Sequence, residues 1–439
     1  MDPLAHIPGA GAPPLVGHSL HFLRDCRHLM DTRRARYGDV FRTEVLGRTV
    51  VVFLTPQATR EIYLDTGGVL SSEGGWSTSI GPLFQRGLML RDFDDHRVHR
   101  RVMQQAFGRV ALSGYVEQIH AVTDRHLDEL APGDTDVYRL MKRLTLDIAA
   151  EVFVGAGLGA QAGTVNDAFC AAMAASLSPF KFDVPGTAFH RGVRGRRTLE
   201  RVFTALVVQR RAEQQPRDDL LSRLSRATTE SGEQLSVDEV VDHMIFLMLA
   251  AHDTTTSTLA ILLWQLALHP DWQDRVRAEV VALGGEPVTL SNHASLVDTT
   301  LAMKEALRLS PPVPFSPRVA THDVTVDGVF IPAGTSLSSA SMTLHRHPDW
   351  WRDPDAFDPD RFGPARAEHE QHTHLFVPFG GGAHLCIGNH VAELIVKTVV
   401  VRLLRTRHIS ADPHAGVVIA PVPIPRPRGP LLLTVSAQR

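Results

Sequence analysis

The stretch from Phe376 to Gly388, FVPFGGGAHLCIG, sets Cys386 two residues after His384 and just downstream of a triple glycine. A thiol so placed has four ordinary employments: a buried structural side chain, a metal ligand, a nucleophile, or a bystander in a turn. A second polar group sits inside an apolar stretch, where His252 and Asp253 lead into the unbroken hydroxyl run Thr254, Thr255, Thr256, Ser257 and Thr258. Serine and threonine side chains compete with helical backbone bonds. Either these hydroxyls bond back to the preceding turn, or the run marks a polar notch where a ligand or water interrupts the helix. A third group is LAMKEALRLSPP, in which Glu305 and Arg308 share one helical face. Most such pairs are solvent decoration. Arg361, in the later segment FDPDRF, offers a second guanidinium fork to the same carboxylate, which turns a pair into a network.

Each group needs an element to hold it. Ser236 with Glu239 makes a capping box and Pro270 ends the pattern, which predicts one helix of about 32 residues at 1.5 Å per residue, crossing the middle of the protein. A helix from about Asn389 to Arg405 follows the cysteine loop. DVFRTEVLGRTVVVFLTP reads as a hairpin about Gly47, and VTVDGVFIPAGTSL and GVVIAPVPIPRPRGPLLLTVS read as strands and turns. Between about Pro56 and Leu309 helical periodicity dominates, interrupted by LSSEGGWSTSIG and FDVPGTAF. The expected fold class is therefore mainly α with small β-sheets (α+β). No long Ser/Gly or Pro linker divides the chain, so a single domain over 1–439 is expected, with a small β-rich lobe near 38–70 and 313–340.

Composition narrows the function. The chain has 439 residues, 44% hydrophobic content and a formal charge of -3, enough for a large core and no reason to expect nucleic acid as partner. Cys26, Cys170 and Cys386 fit neither a disulfide framework nor a four-thiolate cluster, so a reducing, cytoplasmic setting is expected. The N-terminal MDPLAHIPGAGAPPLVGH lacks the plan of a signal peptide. No window reads as an uncharged membrane span, so no membrane anchor is expected.

Taken together, in this order and at these separations, the groups resemble the cytochrome P450 family, and the likeness extends over essentially the whole chain. The family's cysteine loop is matched by Phe379, Gly382, His384, Cys386 and Gly388. Its Glu-x-x-Arg pair falls on Glu305 and Arg308, with its meander arginine at Arg361. The central-helix pattern falls on Ala250, Ala251, His252, Asp253 and Thr254, with Ala251 where glycine is usual. The bacterial His-x-x-x-Arg arrangement lands on His96 and Arg100.

The resemblance implies haem b, iron protoporphyrin IX, with Cys386 as thiolate ligand to the iron, a soft anionic donor suited to O–O cleavage. It places His96, Arg100, Arg318 and His384 against the propionates and Phe379 over the ligand side. Gly380, Gly381, Gly382 and Gly388 would let the backbone approach the macrocycle and aim amide donors at the sulfur. A zinc site from His384, Cys386 and His390 lacks a fourth ligand with the usual spacing. A nucleophilic Cys386 has no general base that the sequence identifies. Thr254 and Asp253 would handle oxygen and protons, Thr254 toward the pocket and Asp253 toward a partner or water. The Ala251 methyl would narrow the oxygen pocket.

There is no dinucleotide fingerprint and there are too few cysteines for an iron–sulfur cluster, so electrons must come from a separate protein. By resemblance this is a ferredoxin or flavodoxin with an NAD(P)H-dependent reductase. STSIGPLFQRGLML would lie over the haem and FDVPGTAFHRGVRGRR would begin a mobile roof above an apolar pocket. The roof segment, the Ala-His of the cysteine loop and IPGAGAPPLVGH look most like the sterol and retinoid branch. Insertion of one oxygen atom from O2 into a terpenoid, sterol, retinoid or fatty acid is the expected activity. A peroxide-using or non-redox haem enzyme, and a haem-binding sensor or carrier, are the alternatives. A carrier has no use for a proton relay, so Thr254 with Asp253 speaks against it.

Overall fold

The helix over the middle of the chain runs Val237–Leu268, 32 residues without a break, and both halves of its capping box form. Ser236 N–H donates to Glu239 Oε2 at 2.8 Å, and Glu239 N–H donates to Ser236 Oγ at 3.2 Å. Most of its residues are buried, as expected of a helix that crosses a core, with the open side at Ala250 and Thr254. The hydroxyl run does not interrupt it. Thr254, Thr256 and Thr258 each donate to the carbonyl one turn back, those of Ala250, His252 and Thr254. Such back-bonding absorbs these three hydroxyls within a continuous α-helix, while Ser257 Oγ is buried without a partner among the described residues, so of the two readings the back-bonded one holds. The same helix is long and apolar enough to cross a bilayer, contrary to the expectation that no window would be. In this fold 78% of its apolar window is packed inside the protein.

The computed structural model describes residues 2–11, 17–155, 161–176, 178, 181–215, 217 and 219–438; Ala12 to Val16 of the proline-rich N-terminal segment lie outside them. A mixed five-stranded sheet joins strands from the N-terminal part of the chain to strands between 316 and 339, in the order Val40–Val45, Arg48–Phe53, Ser336–Ser339, Ser316–Ala320 and Leu70–Ser71. Its hairpin turns at Leu46 and Gly47, both with positive φ (51° and 77°), the mirror-image turn that suits right-twisted strands. Strands Gly133–Asp136 and Arg407–Ser410 pair with Leu432–Ala437 in a second sheet. A helix at Ser19–Tyr37, unsignalled by any sharp sequence pattern, packs against the first sheet.

Helices pack around the central one. Val137–Val154, on its flank, meets it through the Thr145–Thr256 hydroxyl contact of 2.6 Å. Helices Ala162–Ser176 and Ala188–Ala212 lie against each other closely because Gly192 and Gly195 face Ala175 and the Ala168 carbonyl. A Cβ on Gly195 would come within 2.4 Å of that oxygen. Arg196 ties the second of these helices to the rest, donating to the Leu83 carbonyl at 3.3 Å and pairing with Asp242 of the central helix.

Candidate functional site

The cysteine loop is held at both ends. Val377 N–H donates to His345 Nε2 at 3.0 Å, and Cys386 N–H donates back to the Phe379 carbonyl at 2.9 Å, closing the loop on itself before helix Asn389–Thr406 begins. Phe379 is half-buried against the main core. The glycines serve a contact that spacing alone does not suggest. Gly382, at φ +59°, lies so close to helix Pro56–Leu64 that a Cβ would sit 1.9 Å from the Tyr63 carbonyl oxygen, and Gly381 also faces Tyr63. These two glycines let the loop dock on that helix.

Cys386 keeps accessible surface although protein closely surrounds it. That crowding pushes its thiol pKa up, while the Gly388 N–H and the charge of Arg100 act against the rise. Beside it stand His96 and Arg100, on helix Phe93–Gln104, and Arg318, on the strand Ser316–Ala320. The His96 and His384 rings lie 3.9 Å apart, centroid to centroid. Burial, helped by the charges of Arg100 and Arg318, pushes His96 down to about 4; burial, helped by His96 and the same two arginines, pushes His384 down to about 2. Arg318 is 5% exposed and donates a hydrogen bond to the neighbouring Pro317 carbonyl at 2.8 Å. Neither arginine has an ion-pair partner among the described residues, and His96 Nε2 is buried without a hydrogen-bond partner there. Asp92, whose charge acts on both His96 and Arg318, is already engaged by the Ser72 and Glu73 backbone and the Ser71 hydroxyl. Two unpaired arginines and two neutral imidazoles gathered beside a thiol, with no paired carboxylate among the described residues, suit a ligand that brings its own carboxylates, which haem does.

On the central helix, Thr254 and the exposed Ala250 share one face, with Thr254 Oγ1 donating to the Ala250 carbonyl at 2.5 Å. Asp253 points elsewhere, 3.1 Å from His252 Nδ1 and 3.7 Å from Lys142 Nζ. Burial raises its pKa, but His252 and Lys142 outweigh burial and hold it below the ordinary carboxylate value. Ala251 is half-buried and borders a small void facing Thr145, Ile148 and Val391, so its methyl packs between helices. Ala250 is the small residue on the Thr254 side.

Glu305, Arg308 and Arg361 have no exposed surface. Arg308 grips Glu305 with two nitrogens, at 2.6 and 2.8 Å, and Arg361 Nε reaches it at 3.0 Å. The remaining Arg308 donors go to the carbonyls of His345, Pro354 and Ala356. Sequence reasoning missed His345, which joins this network to the cysteine loop, and Lys142, which meets Asp253. Neither stands at a spacing that marks it.

A family model described as cytochrome P450 matches residues 7–422 of the chain. The chain belongs to the cytochrome P450 family. The protein described as cytochrome P450 136 of Mycobacterium tuberculosis is 39% identical over 92% of this chain and 82% of its own length. Abscisic acid 8'-hydroxylase 3 of rice (Oryza sativa subsp. indica) is 28% identical over 95% of the chain and 84% of its own. Cytochrome P450 26B1 of Bos taurus is 28% identical over 94% and 83%. Among solved structures, a retinoic acid-bound cyanobacterial CYP120A1 superposes with a TM-score of 0.90 at 26% identity, covering 98% of this chain and 99% of that one. As a P450 this chain is an oxidoreductase of the monooxygenase class that works with haem iron.

Proposed function

We propose that this P450 binds haem b and hydroxylates an isoprenoid or other lipid substrate, a terpenoid, sterol, retinoid or fatty acid, with electrons from a ferredoxin or flavodoxin and its NAD(P)H-dependent reductase. The observation that carries the reading is the donor cluster beside Cys386: Arg100 and Arg318 with the neutral imidazoles of His96 and His384, and no carboxylate paired with any of them among the described residues. Cys386 would hold the iron as thiolate, with Gly388 N–H and Arg100 favouring the charged form. The four cationic or neutral donors would hold the propionates. Bound haem supplies the activation of O2 and the transfer of one oxygen atom.

The chain's own part is to place the substrate and move protons. Thr254 would supply a proton at Oγ1 on the face it shares with Ala250, releasing its bond to the Ala250 carbonyl as it does so. Asp253 would replenish it from the far side of the helix. Glu305, Arg308 and Arg361 would keep the cysteine loop in register through His345. Abscisic acid and retinoic acid, which the relatives' names mention, are both isoprenoid carboxylic acids. That shared chemistry supports an isoprenoid acid as the first compound to test.

Spectral titration tests both halves of the proposal. Retinoic acid should shift the haem absorption of the purified protein, and the reduced carbon monoxide complex should show the band of thiolate ligation. Cys386→His should lose that band; an unchanged band would remove Cys386 from the iron.

A further inference from the structure

On one flank of the central helix, helices Val137–Val154 and Ala162–Ser176 and the segment around Pro423 to Arg426 enclose a cavity of about 140 Å³, room for several waters. Tyr138, Lys142, Cys170, His252, Asp253 and Arg426 stand in its wall, and Thr254 does not. Cys170 and Arg426 are exposed, so the cavity is open to solvent.

His252 is 1% exposed, and its bonding constrains where protons sit. Nε2 lies 3.0 Å from the Lys142 carbonyl oxygen, which can only accept, so Nε2 carries hydrogen. In a neutral imidazole Nδ1 would then present a lone pair. Yet Nδ1 faces Asp253 Oδ1 at 3.1 Å, and neither atom has an aligned hydrogen-bond partner among the described residues. Two lone pairs buried at that distance repel; a proton held by the pair removes the conflict.

We propose that His252 and Asp253 store one exchangeable proton between them, refilled from water in this cavity and passed on toward Thr254. The inference rests on the reading of Asp253 as proton donor. When the dyad gives its proton up, the neutral imidazole and carboxylate left behind take the next one from a cavity water, so the charge is restored each cycle. His252 is a positioning residue here: the Lys142 carbonyl fixes its ring, and the ring fixes the carboxylate. Lys142 Nζ, 3.7 Å from Asp253, adds a positive charge on the solvent side.

Cys170 supplies a direct readout in the haem-loaded protein. Its labelling rates with an anionic reagent, 2-sulfonatoethyl methanethiosulfonate, and a cationic one, the trimethylammonioethyl analogue, report the charge of the cavity when followed by mass at the Cys170 peptide. Because Cys26 is buried and the peptide is read separately, other thiols do not interfere. His252→Gln keeps a donor for the Lys142 carbonyl but holds no extra proton. It should lower the anionic-to-cationic rate ratio about 3-fold or more near neutral pH, and an unchanged ratio overturns the stored proton. Turnover of retinoic acid with a surrogate ferredoxin and reductase separates this inference from the reading beneath it. If Asp253→Asn slows oxygen use while His252→Gln leaves both turnover and the rate ratio at wild-type values, the relay stands and the shared proton falls. If Asp253→Asn changes nothing, the donor role of Asp253 falls first. A lowered ratio and a solvent deuterium isotope effect that grows in His252→Gln support the store.

Discussion

Thr254 and Asp253 are neighbours in sequence and look in different directions, because successive helical residues are turned by about 100°. Their substitution should therefore separate two failures. Thr254→Ala removes a hydroxyl that donates to the Ala250 carbonyl, so the helix should stay intact and haem and substrate should still bind. Protons would no longer be delivered in place, and electrons should leave as hydrogen peroxide instead of product. The measurement is product formed per NAD(P)H consumed, with peroxide assayed in parallel; an unaltered ratio removes Thr254 from the relay. Asp253→Asn should slow the whole cycle by about 10²-fold, the lower end of what a positioned acid contributes, without the same diversion to peroxide.

At the scale of the element, the cysteine loop depends on a helix more than three hundred residues upstream. Gly382 combines a left-handed φ of +59° with a contact that leaves no room for Cβ beside the Tyr63 carbonyl. Gly382→Ala should push the loop off helix Pro56–Leu64 at about 1 to 3 kcal/mol, the usual range for overpacking. The expected result is faster haem loss with the far-ultraviolet helical signal unchanged; normal haem retention would show that the loop tolerates a shift there. The central helix has the opposite character. Its start is secured locally by the Ser236–Glu239 box, so Ser236→Ala should cost about 1 kcal/mol by denaturant unfolding and leave haem binding alone.

The whole molecule is tied together by Glu305. Glu305→Ala would leave two fully buried guanidinium groups facing each other without their carboxylate, at a cost of about 3 to 5 kcal/mol. Low soluble yield and poor haem loading should follow, and haem-loaded protein in normal yield would refute the structural role. His345 adds a dependence on pH. Burial, with the charge of Arg308, pushes it down to about 3, whereas an imidazole in an unfolded chain titrates near ~6.5. Above that value both states are neutral. As pH falls from there toward 3, only the unfolded chain takes up the proton, so stability is lost, by at most about 1.4 kcal/mol per pH unit from this residue. Denaturant midpoints measured at about pH 7 and about pH 5 should differ less in His345→Gln than in wild type.

The local features were legible because each rests on residues a few positions apart. The capping box and Pro270 bound the central helix, Leu46 and Gly47 turn the hairpin, and Glu305 and Arg308 share a face by spacing alone. The adjacency of Asp253 and Thr254 already implied different directions. Other outcomes depended on which faces met. His384 meets the His96 ring from the far end of the chain, His345 joins the arginine network to Val377, Gly382 fits against Tyr63, and Lys142 reaches Asp253 from the neighbouring helix. The hydroxyl run was ambiguous for the same reason, since back-bonding and an opened helix suit the same residues, and only the surrounding packing chose between them. Periodicity and caps act within a turn or two of chain, while contacts between distant side chains are set by how whole elements close-pack, which no local pattern encodes.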